Sequence, residues 1–595
     1  MSKKVKIALA VPLVRVADVD FNILQIENLI KEATKEQAKV IAFPELSITG
    51  ATCGDLFLHT LLVEKAEQGL KILLENTKSL DIVALVGLPL RADNGKLYNV
   101  VVVFQKGKIL GIVPKTILLD KENRWFSKLA LTDYEPIGCL NHKFTFSEGD
   151  FNLSCFNFSV GIGKILSKDT DILFKITALP TTIDIDQIFV LEHTSAPLVE
   201  LSSGFGESST DGAFCGEVTI SRDGKVLLNK MLASTKNEIL ITEIDIEKSI
   251  STNEKPQCKT EKLEEILEKK IKRFPFVDEH NLHSQCEKSL NIQHFGLATR
   301  LNRIGCKKVV IGISGGLDST LALLVCVRAF DFLNFDRKGI IAITMPGFGT
   351  TGRTYKNALD LIKSLGVTLK EIDIKQACLQ HFNDIEHDEN IHDVTYENSQ
   401  ARERTQILMD IANKENGLVI GTGDMSELAL GWATYNGDQM SMYGVNAGLP
   451  KTFIQPLVKH VAEKSNEDLR RILLDIVDTP ISPELTPADD KGNIKQKTED
   501  LVGPYELHDF FLYYFLFYRL TPKTILKFAL IAFEGRYDTL EIKKWLRTFI
   551  YRFFSQQYKR SCMPDGPKVF NLSLSPRGDL SLPSDAYFDL WLNDL

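Results

Sequence analysis

A chain of 595 residues with 44% apolar and 25% charged residues has an ordinary globular composition and room for about two to four domains. Its net charge of −8 argues against a nucleic-acid binder, which would carry a basic domain, and no apolar run approaches the roughly 20 residues of a membrane helix. Ten cysteines without a C-x-x-C pair read as the reduced thiols of a cytoplasmic protein, and Met1-Ser2-Lys3-Lys4-Val5 enters a strand-like run with no signal-peptide stretch.

In chain order, Val5–Val11 and Val40–Phe43 read as strands, with an amphipathic helix over about Asn22–Ala38 between them. Ile82–Leu88 and Asn99–Phe104 are further strands, with turns at Asn94-Gly95 and Lys106-Gly107, and Ile239–Ile246 reads as the last strand of this unit. The stretch 247–273 is charged. Leu263, Ile266, Leu267 and Ile271 give it a thin helical stripe, and Phe274-Pro275-Phe276 ends it. From about Cys286 a strand–helix rhythm sets in, with strands at 309–313, 339–345, 370–374 and 417–421. That rhythm predicts a doubly wound parallel sheet with ligands at its C-terminal edge.

The densest signal is Ser314-Gly315-Gly316-Leu317-Asp318-Ser319 after the β-branched run Val309–Ile313. The glycines let the backbone turn tightly and approach a ligand, and a helix starting near Asp318 points free N–H groups and its positive end at one spot. That spot suits a pyrophosphate, and a carboxylate beside phosphates holds Mg²⁺. The lysine of a Walker A loop is missing. The run resembles the SGGxDS loop of ATP pyrophosphatases, which cut ATP to AMP and pyrophosphate while adenylating a substrate.

Further stretches extend the likeness: 345–351 (MPGFGTT), 396–402 (YENSQAR), 421–427 (GTGDMSE) and 554–560 (FSQQYKR). With them the second half resembles the synthetase domain of glutamine-dependent NAD synthetases over nearly all of 275–595. The resemblance implies ATP-dependent amidation of deamido-NAD to NAD by an enzyme that uses ATP and Mg²⁺. It implies Asp318 and Glu427 as metal ligands and catalytic groups, with Lys559 beside them. It places Ser314, Gly315, Gly316, Ser319, Thr344, Arg402 and Thr422 around ATP, and Trp432, Tyr435, Asp438 and Lys559 at the dinucleotide. The tail around Lys559, followed by Pro564-Asp565-Gly566-Pro567-Lys568, reads as a basic loop able to close over phosphates. His387-Asp388 and His392-Asp393 lack a third ligand spacing and read as loop polarity rather than a metal site.

Residues 1–250 resemble the nitrilase-like glutaminase domain of the same family. Phe43-Pro44-Glu45-Leu46 matches its glutamate motif, Val113-Pro114-Lys115-Thr116 its lysine motif, and Glu122 its second glutamate. The stretch between Lys115 and Glu122 is shorter than the family's, and Ala51 replaces an expected tyrosine. Where the family has its nucleophilic cysteine, in F-x-F-G-[VI]-E-I-C-E-D-L, this chain reads Phe156-Asn157-Phe158-Ser159-Val160-Gly161-Ile162-Gly163-Lys164-Ile165-Leu166. Gly163 stands at the cysteine position, and Gly161, Lys164 and Ile165 replace three carboxylates. Cys155, eight residues earlier, reads as a small buried hydrophobe.

The expectation is an α/β protein: a nitrilase-like α-β-β-α sandwich over 1–248, inactive as a glutaminase, a linker over 249–280, and an NAD synthetase domain over 281–595. Deamido-NAD, ATP and ammonia are the expected substrates. Neither nucleic acid nor membrane is an expected partner, and the resemblance implies a homo-oligomer. Two other readings stay open: a full glutamine-dependent enzyme using Cys155, and a non-catalytic assembly scaffold, against which the intact 314–319 loop and Glu427 argue.

Overall fold

The computed structural model describes residues 4–128, 137–140, 142–154, 156–164, 170–183, 194–246, 263–349, 352–479 and 502–595. The chain divides into two compact units. One holds Met1–Thr181, Asp186–Ser208 and Ala213–Pro256. The other holds Gln257–Leu595 together with the short segments Thr182–Ile185 and Ser209–Gly212. The expected linker at 249–280 begins outside the described residues, which resume at the helix Leu263–Glu268.

The first unit contains β1 (Lys4–Val11), β2 (Val40–Ala42), β3 (Val83–Arg91), β4 (Leu97–Gln105), β5 (Lys108–Pro114), the hairpin β6 (Ile137–Cys139) and β7 (His142–Phe144), β8 (Asp150–Asn152), β9 (Asn157–Ile162), β10 (Ile172–Ile176), β11 (Leu198–Leu201), β12 (Glu217–Arg222), β13 (Lys225–Met231) and β14 (Glu238–Asp245). They form two six-stranded sheets, ordered β14-β1-β2-β3-β4-β5 and β13-β12-β11-β10-β9-β8. Alternation along β1 explains the stacking. Val5, Ile7, Leu9 and Val11 join Phe158, Val160, Phe174 and Val199 in the core between the sheets. Ala8 and Ala10 face the opposite core with α1 (Val19–Lys35) and α2 (Thr60–Asn76). The run is apolar on both faces because both faces are covered. The described residues thus supply three layers of an α-β-β-α sandwich. Helix α1 starts at Val19 rather than Asn22, because Asp18 accepts a hydrogen bond from the Phe21 N–H (3.2 Å) and fixes the start.

In the second unit, β15 (Val309–Gly312), β16 (Ile340–Thr344), β17 (Thr368–Glu371), β18 (Leu418–Gly421) and β19 (Tyr443–Gly444) form an all-parallel sheet ordered β17-β16-β15-β18-β19. Helices α4 (Leu282–Ile304), α5 (Leu317–Phe332), α6 (Gly352–Leu365), α7 (Lys375–Asp384), α8 (Val394–Glu415), α9 (Met425–Leu430), α10 (Lys451–Glu463) and α11 (Glu467–Val477) follow in the chain; α3 is Leu263–Glu268. The strand order reverses at β15, whose neighbours are β16 and β18, so a crevice opens beyond the carboxyl ends of β15 and β18. The expected strand at 370–374 sits two residues earlier. Asp373 ends it by accepting from the Lys375 N–H (2.8 Å). The eight cysteines among the described residues are free thiols, and no helix among those residues is long and apolar enough to cross a membrane.

Two buried histidines make this unit acid-sensitive. His294 lies 2.8 Å from the Leu290 carbonyl, and His508 lies 2.6 Å from that of Val502. Burial pushes both imidazoles down to about 4 from the ordinary 6.5. Below about pH 6.5 the unfolded chain takes up protons there that the folded chain refuses until about pH 4. This stability is complete above pH 6.5 and declines as the pH falls to about 4. His294→Gln is therefore expected to flatten the fall of Tm between about pH 7 and 4.5; a fall parallel to the wild type's would remove the assignment.

Candidate active site

The loop after β15 is pinned by its own serines. Ser314 N–H donates to Ser319 Oγ (3.3 Å), Gly316 N–H to Ser314 Oγ (3.2 Å), and Ser319 Oγ–H to the Gly316 carbonyl (3.2 Å). Gly315 sits at φ +87°, and a Cβ there would stand 2.1 Å from the Thr354 carbonyl oxygen, so the turn admits no side chain. Helix α5 starts at Leu317 and places Asp318 in its first turn. The adjacent strand β18 ends at Gly421 and leads through Thr422 to α9. There Asp424 and Glu427 form a reciprocal capping box: the Glu427 N–H donates to Asp424 Oδ1 (2.9 Å), and the Asp424 N–H to Glu427 Oε2 (3.3 Å).

Two neighbouring parallel strands thus bring Asp318, Asp424 and Glu427 together, with one ligand atom of each within 4.8 Å of the others. Lys451, the first residue of α10, sits among them. Its Nζ lies 2.7 Å from Asp318, 2.8 Å from Asp424 and 2.8 Å from Glu427. Burial alone would push the Lys451 ammonium down, but the three carboxylates outweigh it and hold its pKa well above the usual lysine range. Burial pushes the Asp424 carboxyl up, and the Glu427 charge adds to the rise. Asn446 ties the two loops, donating to the carbonyls of Asp318 (2.9 Å) and Thr422 (3.1 Å). Three carboxylates outnumber the one ammonium. Asp318 Oδ1 is buried without a hydrogen-bond partner among the described residues. Hard oxygen donors, surplus negative charge and an orphaned carboxylate oxygen fit a divalent cation such as Mg²⁺.

The remaining expected residues lie around this cluster or beside it. Thr344 ends β16 and is buried. Arg402 on α8 donates to the Tyr435 carbonyl (3.3 Å). Trp432 follows α9, half-buried, with the Arg552 guanidinium 5.1 Å from its ring centroid. The Tyr435 ring is exposed against Tyr558 (5.5 Å between centroids). Asp438 accepts from the Thr434 N–H (2.7 Å) and shapes the turn that carries Tyr435. The reading of the tail as an open basic loop is corrected. Gln557–Ser561 is helical, Arg560 is fully buried, and Val569 and Phe570 are core residues. Lys559 donates to the carbonyls of Gly431 (2.8 Å) and Ala433 (2.7 Å). His387 reaches the Ile391 carbonyl (3.1 Å) and Asp393 caps α8, so this loop's polar groups serve its own backbone.

In the first unit, Glu45 and Lys115 are buried and 2.7 Å apart, and Lys115 also lies 2.7 Å from Glu122. Asn99 Nδ2 donates to Glu45 (2.5 Å), and the Leu119 N–H donates to Glu122 (2.7 Å). Burial raises the Glu45 pKa, while the two glutamates outweigh burial and raise that of Lys115. Gly163 follows β9 at φ +68°, and a Cβ built there would stand 3.8 Å from Lys115 Cε, with no other non-adjacent neighbour within 4 Å among the described residues. A side chain at this position would project beside the Glu45–Lys115 pair. Cys155 lies outside the described residues.

Sequence reasoning missed Asp424 and Lys451. The D-x-x-E spacing of a capping box was readable at Asp424. Lys451 carried no signal, since it lies 133 residues from Asp318 and only the sheet topology brings it there.

The NAD synthase family profile matches residues 290–519, and the carbon-nitrogen hydrolase profile matches residues 6–162. The chain is 34% identical to the glutamine-dependent NAD(+) synthetase of Mycobacterium leprae, over 98% of this chain and 96% of that protein. It is 26% identical to the one from Aquifex aeolicus, over 93% and 94%. The crystal structure of a glutamine-dependent NAD(+) synthetase from Cytophaga hutchinsonii superposes with a TM-score of 0.79 at 21% identity, covering 99% of both chains.

Proposed function

The chain belongs to the glutamine-dependent NAD(+) synthetase family, and from that premise we propose that its second half amidates deamido-NAD through an adenylate, with ammonia as the nitrogen donor. A nicotinate carboxylate oxygen attacks the ATP α-phosphorus and pyrophosphate leaves. Ammonia then attacks the activated carbonyl carbon, AMP leaves with the oxygen, and the nitrogen loses a proton. The observation that carries this reading is the convergence of the Ser314–Ser319 turn with Asp318, Asp424, Glu427 and Lys451 beyond β15 and β18.

Each group has a role in that chemistry. The α5 N-terminus receives the departing pyrophosphate, while Ser314, Gly315, Gly316 and Ser319, bonded to one another, shape the seat. Asp318 and Glu427, with Asp424 behind them, are the residues to hold Mg²⁺, which when bound offsets the charge of two anions brought together. Lys451 supplies a second positive charge at the same place. Thr344, Arg402 and Thr422 line the nucleotide side. Trp432 and Tyr435 offer rings to the nicotinate, and Asp438 and Lys559 fix the turn that presents them.

Ammonia is favoured by Gly163. Glu45 and Lys115 persist as a buried pair, but the position beside them bears no side chain to form an acyl intermediate. A second reading, glutamine as donor, is favoured by the name of relatives that align over 98% of the chain. Purified protein with ATP, Mg²⁺, deamido-NAD and ammonium is expected to yield NAD, AMP and pyrophosphate in equal amounts. Release of ADP, or no turnover, would refute the reading.

A further inference from the structure

The helix Thr539–Ser555 and the short helix Gln557–Ser561 direct three cations at one target. That target is the C-terminal end of α9, the six-residue helix whose first turn carries Glu427. Arg560 Nη1 donates to the carbonyls of Leu428 (3.2 Å) and Ala429 (2.8 Å). Arg552 donates through Nε to the Leu430 carbonyl (2.9 Å) and through Nη2 to that of Gly431 (3.5 Å). Lys559 adds its bonds to Gly431 and Ala433. Four consecutive carbonyls, from Leu428 to Gly431, therefore each meet a cation at the negative end of a helix.

Arg560 is the costliest of the three. It is fully buried, and among the described residues no carboxylate pairs with it. Its other partners are the Phe553 carbonyl, Gln557 Oε1 (2.9 Å) and the face of the Phe553 ring (4.4 Å to the centroid). Burying a charge without a counter-ion is expensive, and surface solubility gives no reason for it. What the arrangement achieves is fixation. A helix of six residues does not hold itself in water. The capping box fixes the N-terminal end of α9, and the cations fix its C-terminal end.

We infer that Arg560, with Arg552, is a positioning residue: it sets the rotation and rise of α9 and so the place of the Glu427 carboxylate in the cation-binding cluster. This rests on the reading of Glu427 as a ligand of the nucleotide-linked Mg²⁺.

The test uses full-length Arg560→Met and Arg552→Gln, with Arg560→Lys as the conservative change. Mn²⁺ binding in the presence of ATP is measured directly by electron paramagnetic resonance, and AMP release is titrated with Mg²⁺. Loss of an outer support of a ligand costs roughly ten- to a hundredfold in metal affinity. The metal dissociation constant and the Mg²⁺ midpoint are expected to rise by that factor, less in Arg560→Lys. AMP release should recover substantially at saturating Mg²⁺. Arg552, only half-buried, carries the same expectation if Arg560→Met does not fold. Folded variants with lowered Tm but unchanged Mn²⁺ affinity would overturn the inference, as would a wild type that binds no Mn²⁺. A wild type that binds Mn²⁺ but releases no AMP would instead sink the functional reading, while weakened Mn²⁺ binding in the variants would still support positioning.

Discussion

Asp318→Asn and Glu427→Gln are each expected to lower AMP and pyrophosphate release by about a hundredfold or more, the scale on which an enzyme loses one electrostatic stabiliser. The two substitutions are unusually clean. Glutamine serves as well as glutamate in a capping box, so Glu427→Gln removes charge while leaving the start of α9 in place. Asp318 contributes to its surroundings through its backbone carbonyl as well, which accepts from Asn446 and is untouched by Asn. The ion cluster also loses a member in each variant, but Lys451 keeps two carboxylates, so the buried ammonium is never left alone. Circular dichroism and Tm near the wild type's should therefore accompany the loss of rate. Near-normal turnover of either variant at saturating Mg²⁺ would show that the residue is not a ligand.

Glutamine is expected to support NAD formation at a rate at least about a thousandfold below that with ammonium, within the loss seen when an enzyme's nucleophile is deleted. Amide hydrolysis in a nitrilase-like site proceeds through a covalent acyl intermediate, and Gly163 has no atom to carry it. Water set by Glu45 would have to replace a thiolate without the advantage of fixed proximity. The survival of Glu45 and Lys115 does not argue otherwise, because deleting either partner of a buried pair is costly whatever its use. Glutamate release is to be measured alone and during synthesis, then in Gly163→Cys. The variant is expected to gain a glutamate-releasing activity or a covalent adduct with a glutamine-like electrophile, since its Cβ would stand 3.8 Å from Lys115 Cε. The position's φ of +68° will lower the variant's stability. Robust glutamate release by the wild type would overturn the ammonia reading. If Cys155→Ala abolished that release, Cys155 would be the nucleophile.

The parallel sheet of the synthetase crevice and its turn were readable in the sequence because the signals are local. A β-branched run, paired glycines and a carboxylate at a helix start fall within about ten residues, so periodicity and turn chemistry suffice. What escaped was set by distance in the chain. Lys451 enters the carboxylate cluster only through the order of β15, β18 and the start of α10, which no window of sequence contains. The tail near Lys559 misled for the opposite reason. Its lysine, arginine and proline read as exposed, whereas the carbonyls ending α9 and the helix Thr539–Ser555 solvate the Arg560 guanidinium inside the fold. Polar residues look alike in sequence whether water or a helix end receives them. In the first unit, Glu45, Lys115 and the position of Gly163 were legible from motifs, and their mutual distances were not.

The second compact unit is not a contiguous stretch of chain. Ile183 pairs with Phe570, its N–H donating to the Val569 carbonyl (2.8 Å). Tyr443 on β19 donates to the Ser209 carbonyl (3.1 Å), the Gly566 N–H to that of Thr210 (3.1 Å), and Ser575 and Arg577 bind Asp211. A gene split between residues 248 and 281 would deprive the synthetase portion of these partners, leaving the buried Tyr443 hydroxyl without its acceptor. Recombination at that junction is expected to cost the second unit these contacts.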